Sequence, residues 1–192
     1  MRSTKPRLTR PQPDDNKLRE LILYIAERSA DDAAFGALKL NTLLFFSDFG
    51  AYRKWGRSIT GQEYRALEQG PGPRRLLPVR RQMIKDRELA IQRREFYGKP
   101  QQRPVHLRTA SLAAFSGDEI DLVDRLIQRW WGKTATEMSA GSHEFPDWSL
   151  AKTGETIPYS VALISSRELS RKEIEAGLAL AAQAQRCVAR HG

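Results

Sequence analysis

One run of the chain is apolar on too many sides to lie on a surface. From about Ala34 to Trp55 the sequence reads as a single helix, and Leu40, Leu43, Leu44, Phe45 and Phe46 cover more than one of its faces. Such a helix has to be enclosed, so the rest of the chain must supply packing elements on several sides. Gly56 is placed to stop it, as a residue that adopts left-handed backbone without cost.

The enclosing elements can be read from periodicity and caps. Leu18, Leu21, Ile22 and Ile25 fall at i, i+3, i+4 and i+7, which predicts a helix over about 16–29 capped by Asp14, Asp15 or Asn16. Ser116 and Glu119 form a capping box ahead of the stripe Ile120, Val123, Ile127 and Trp130 or Trp131, with Gly132 placed to shorten or bend that helix. A short Arg-rich helix is predicted at about 74–87. The run ELAIQRREFYGKPQQRPVHLR reads as a β-hairpin with Gly98-Lys99-Pro100 between its strands, Pro104 confining the second strand to an edge or delaying its start. Residues 133–150 read as a short helix and a loop, ETIPYSVALISS as extended chain, and Ser170 with Glu173 as the cap of a last helix reaching about Ala189. The fold class is α+β: a predominantly helical single domain over 14–190 with a small antiparallel sheet or hairpin, preceded by a disordered basic arm over 1–13. A length of 192 residues is enough to bury a core for one such domain.

Between the long helix and the Arg-rich one lies RSITGQEYRALEQGPGP, which has neither helical nor strand period. Ile59 to Tyr64 suits a short extended piece or a single turn, and Gly70–Pro73 must be a turn. Two readings are open for this stretch. Tyr64, Pro71 and Pro73 are rigid groups that lose little entropy on contact, as a partner-binding loop requires; they equally suit closing the core beside the long helix.

The net charge of +9 is unevenly spread. Residues 74–108 hold eleven Lys/Arg against three Asp/Glu, and the first ten residues add four more cations. Such a band attracts phosphates or an acidic protein face, or is simply solvated. Phe96 and Tyr97 beside Arg93, Arg94 and Lys99 suit a basic wing on nucleic acid, although no helix-turn-helix or RNA-binding aromatic signature accompanies them.

Catalytic chemistry finds little support. Ser142, His143 and Asp147 lie close in sequence, but adjacent Ser and His side chains diverge and no nucleophile-elbow pattern precedes the serine. His143 and Trp148 are better read as structural. His106, His143, His191 and Cys187 lack metal-ligand spacing, and the glycines form no phosphate-cradling loop, so no cofactor or metal is expected. The single cysteine excludes an internal disulfide and fits a reducing cytoplasm; no stretch nears the roughly 18 unbroken apolar residues of a membrane span, and MRSTKPRLTRPQPDDN lacks the apolar core of a secretory signal.

Several ordered motifs together resemble the Panacea domain of the SocA-like antitoxins, a family formerly known only as phage-associated. They are KLNTLLFFSDF, ITGQEY, GPGP, the helix start FSGDE, and Ser142-His143 followed by Trp148, spread over roughly 16–165. Thr42, Phe45 and Gly72 depart from the family pattern, which more often has Lys, Tyr and Val there. The resemblance marks Asn41, Asp48, Thr60, Gly61, Gly70, His143 and Trp148 as motif residues. It implies a non-enzymatic bacterial or prophage antitoxin that neutralises a toxin encoded nearby; in the SocA branch it also implies an adaptor that delivers the toxin to the ClpXP protease. The expected partner-binding residues are Tyr64, Pro71 and Pro73 with Arg74, Arg75, Arg80 and Arg81. A basic nucleic-acid-binding regulator is the alternative.

Overall fold

The long apolar helix is the axis of the molecule. The computed structural model describes residues 11–141 and 151–163. In chain order it contains α1 (Asp15–Arg28), α2 (Ala37–Trp55), β1 (Tyr64–Leu67), β2 (Gly70–Pro73), α3 (Leu76–Lys85), β3 (Leu89–Phe96), β4 (Lys99–His106), α4 (Gly117–Arg129), α5 (Ala135–Gly141), β5 (Thr156–Ile157) and a 3₁₀ turn (Tyr159–Leu163). Helix α2 packs against α1, α4, α5, β2, β4 and the 3₁₀ turn, so its several apolar faces are each covered. The class is α+β, as expected. Among the described residues, no helix is long and apolar enough to cross a membrane.

The caps act where the sequence places them. Asp14 accepts a hydrogen bond from the Lys17 amide at 2.8 Å and opens α1. The Ser116–Glu119 box is complete: each side chain accepts from the other residue's backbone N–H. Gly56 ends α2 at φ +71, in the left-handed region. Helix α4 closes at Trp130, which is buried, while Trp131 is exposed.

The sheets are small and antiparallel. One has the order β2-β1-β5; the other is the β3–β4 hairpin. Two local expectations change. Gly70–Pro73 is not a turn but the edge strand β2, in register with β1 as Tyr64↔Pro73 and Leu67↔Gly70, the turn falling at Glu68–Gln69. The alternation of glycine and proline permits this, because the residues lacking N–H all point one way. Gly70 and Gly72 present their amides toward β1, in phase with the Arg74 amide that donates to the Glu63 carbonyl at 2.7 Å, and Pro71 and Pro73 face the free edge.

The hairpin turn also moves by one residue. It is Tyr97-Gly98, with φ +49 and +70, so Lys99 and Pro100 already belong to β4. Positive φ at both turn residues matches the right-handed twist of the flanking strands. Pro104 sits inside β4 opposite Ile91, which a two-stranded sheet tolerates because both strands are edges. The described part of ETIPYSVALISS supplies the two residues of β5 and then turns into the 3₁₀ segment. Residues 11–13, the described end of the expected arm, lie against the body: the Gln12 carbonyl covers Gly61, and the Asp14 amide donates to the Thr60 carbonyl at 2.9 Å. The helix expected after Ser170 lies outside the described residues.

Candidate functional site

The motif residues converge on a buried carboxylate. Asp48, on α2, is fully buried and accepts from the Thr60 amide at 2.6 Å, the Thr60 hydroxyl at 2.5 Å and the Tyr64 hydroxyl at 2.8 Å. Burial pushes its carboxyl above the ordinary range, outweighing the Thr60 and Tyr64 hydrogen bonds that pull it down. The Tyr64 ring is enclosed edge-on by Phe45 and Phe49 at centroid distances of 5.6 and 5.5 Å. Tyr159 stacks on Phe49 and donates its hydroxyl to the Gln62 carbonyl at 2.8 Å. The irregular stretch is therefore held in place from inside, since its own backbone ladder begins only at Tyr64.

This arrangement decides between the two sequence readings. Tyr64 is fully buried, and Pro71 and Pro73 are buried as well, so the expectation that they present a binding surface is corrected: they close the core. Gly61 sits at φ +66 with the Gln12 carbonyl where a Cβ would be, so both conformation and space demand glycine. Gly70 opens β2 at φ +129, and the half-buried Asn41 side chain lies beside Gly72. His143 and Trp148, with Ser142 and Asp147, lie outside the described residues.

Two further polar groups went unnoticed in the sequence. Lys39 Nζ lies 2.6 Å from Asp32 Oδ2 and donates to the carbonyls of Trp130 and Lys133 at 2.6 and 2.7 Å. Arg103 is buried and donates to the carbonyls of Ser29, Ala30, Asp32 and Phe35. Lys39 satisfies carbonyls just beyond the C-terminus of α4, and Arg103 those of Ser29 and Ala30 at the C-terminus of α1, where the helix dipole also favours positive charge, together with two in the segment leading to α2. Neither is a free reactive group.

The basic band divides in two once pairing is considered. Toward α1 the cations are neutralised. Arg75 pairs with Asp15 at 2.5 Å and Arg74 with Glu63 at 3.1 Å. Arg108 bridges Glu20 and Glu88, while Arg19 holds Asp86 and Glu88. The partners respond as paired groups do: the Arg108 guanidinium holds the Glu20 carboxyl below its usual range, and Arg75 does the same to Asp15.

On the other side, Arg80, Arg81 and Arg87 form no ion pair with a carboxylate among the described residues, and neither do Arg93, Arg94 and Lys99 of the hairpin; Lys85 forms none either, though after Arg19 it helps hold the Asp86 carboxyl below its usual range. Burial, and then the neighbouring Arg81, push Arg80 below its ordinary value. Of the four arginines expected at a binding face, Arg81 is exposed and Arg80 half-buried, both without an ion pair among the described residues, and Arg74 and Arg75 are exposed but paired.

Reactive groupings are scarce. Among the described residues, no three of His, Cys, Asp and Glu are placed to hold a metal ion. A cleft of about 440 Å³ opens between the hairpin and the start of α2; its lining includes Lys39 and Lys99 but no carboxylate, histidine or cysteine.

The site is thus a helix-centred α+β scaffold that locks an irregular loop inward and carries a basic face without ion pairs among the described residues. Over residues 40–149 the chain matches the family described as Antitoxin SocA-like, Panacea domain, and it belongs to that family. No curated protein and no solved structure matches it.

Proposed function

We propose that this chain is an antitoxin that neutralises a protein toxin by direct contact and performs no catalysis of its own. Membership of the SocA-like antitoxin family carries the reading. The placement of the motif residues supports it. Asp48, Thr60 and Tyr64 are at most 1% exposed, so they build a framework and leave recognition to the exterior. Neutralisation then consists in occupying the toxin, and affinity depends on shape and charge at the surface.

The test is co-expression with the protein encoded by the adjacent reading frame. Growth arrested by that protein should resume when this chain is present, and the two should co-purify. Rescue without any complex would overturn the contact mechanism. Following the toxin's half-life separates simple occupancy, in which the toxin persists, from hand-over to a protease such as ClpXP, in which it disappears.

A further inference from the structure

The outer face of α3 is one-sided in charge and partly apolar. Leu76, Val79 and Met83 point into the core. Leu77, Arg81 and Ile84 fall at i, i+4 and i+7 on the opposite side, with Lys85 beside them and Arg80 at the margin. Leu77 and Ile84 are 53% and 44% exposed. The helix carries no acidic residue. The two carboxylates that follow it, Asp86 and Glu88, are held by Arg19 of α1, and Glu88 also by Arg108. Among the described residues, no carboxylate therefore forms an ion pair with this face, whereas Arg74 and Arg75, only a few residues earlier, are paired.

We propose that the outer face of α3 is the anchor by which the protein docks an acidic, partly apolar surface of its protein partner. Two exposed aliphatic side chains flanking the cations favour a protein over a phosphate backbone, which offers nothing to desolvate them against. Leu77 and Ile84 would be buried in the contact while Arg81 and Lys85 meet carboxylates around them, an apolar centre within a charged surround. Ten residues of helix span about 15 Å, less than a whole interface needs, so α3 serves as the centre of a larger contact. The inference rests on the function proposed above.

The experiment measures binding of the full chain to the purified product of the adjacent reading frame at low and moderate salt. It compares the natural protein with Arg81→Glu/Lys85→Glu, Leu77→Ala/Ile84→Ala and the paired-cation control Arg74→Gln/Arg75→Gln, with thermal melts confirming that each is folded. The two α3 variants should each weaken binding at least about tenfold. The charge reversal should also slow association and flatten its salt dependence, while the control changes affinity less than about threefold. If the natural protein binds and the α3 variants bind as well, the face is wrong and the antitoxin reading stands. If the natural protein does not bind that product, the antitoxin reading fails and this inference with it. Binding to a random-sequence DNA duplex that Arg81→Glu/Lys85→Glu abolishes would make the face a phosphate-binding one and overturn the assignment to protein.

Discussion

Lys39 and Asp32 form an ion pair at 2.6 Å with both side chains no more than 2% exposed, Lys39 standing among the leucines and phenylalanines of α2 and Asp32 in the segment before it. Burial pulls the ammonium below its ordinary pKa and the adjacent carboxylate pulls it back. The pair links the turn after α1 to the end of α4, because the same ammonium donates to the Trp130 and Lys133 carbonyls.

Removing one partner should therefore be costly. Lys39→Ala strands a buried carboxylate and two carbonyls, and should lower stability by about 3–5 kcal/mol in urea unfolding. The double variant Lys39→Met/Asp32→Asn leaves no buried charge, so it should lose less than the sum of its single changes. Strict additivity would mean that the two groups do not act as a pair.

The Asp48 lock gives a second prediction. Asp48→Ala orphans the Thr60 amide, the Thr60 hydroxyl and the Tyr64 hydroxyl, at a cost of about 3 kcal/mol or more. Asp48→Asn keeps one acceptor for the Thr60 amide and should cost less. A denaturation midpoint for Asp48→Ala equal to that of the natural protein would remove the carboxylate from its structural role.

The two kinds of carboxyl oppose each other in acid. Asp48 has a folded pKa above its unfolded 3.8, so its contribution is full below that value and is lost as pH rises through the folded one. Asp15 and Glu20 are lowered, so theirs is present above 3.8 and 4.5 respectively and is lost as pH falls through their folded values. Replacing Asp48 by Asn should therefore make the natural acid transition steeper, since only the destabilising groups remain; chemical denaturation between pH 6 and the acid limb reads this directly.

Alkali probes three tyrosines. Burial, aided by the Asp124 carboxylate, pushes the Tyr24 hydroxyl up to about 12, and Tyr64 and Tyr159 are raised well above 10.0, mainly by burial. Raised folded values mean that their stabilisation is intact below 10.0 and is lost as pH climbs through the folded values. Tyrosinate absorbance should show these three ionising together with loss of helical circular dichroism. Smooth ionisation near pH 10 ahead of unfolding would contradict their burial.

Two glycines separate strain from collision. Gly98→Ala meets nothing within 4 Å and should cost about 1 kcal/mol for its φ of +70 alone. Gly61→Ala has a similar φ of +66, but its Cβ would fall 1.9 Å from the Gln12 carbonyl, so it must also displace the chain before α1. Its melting temperature should drop further, and equal drops would show that Gln12 yields freely.

Local signals were legible in the sequence and distant pairings were not. The Asp14 and Ser116 caps, the surrounded helix and the basic hairpin each depend on neighbours within a few residues. Whether Tyr64 points in or out depends on Asp48 and on Tyr159, across a stretch with no period to assign a side. The roles of Lys39 and Arg103 were not legible because the carbonyls they hold lie 91 and 94, and 68 to 74, residues away. The basic band misled in the same way. Summed charge does not reveal that Arg75 is answered by Asp15, 60 residues earlier, while Arg81 has no ion-pair partner among the described residues. Pro71 and Pro73 read as a turn because the phase of their missing amides matters only once β1 is alongside.

The internal lock and the external face are separate structures. No hydrogen bond or ion pair joins the Asp48–Thr60–Tyr64 set to the outer side chains of α3. Substitutions at Leu77, Arg81, Ile84 or Lys85 can thus accumulate with little effect on folding, as changes at independent sites combine additively. A chain built this way can be refitted to a differently shaped opponent by rewriting a few outward positions, with its hidden scaffold left alone.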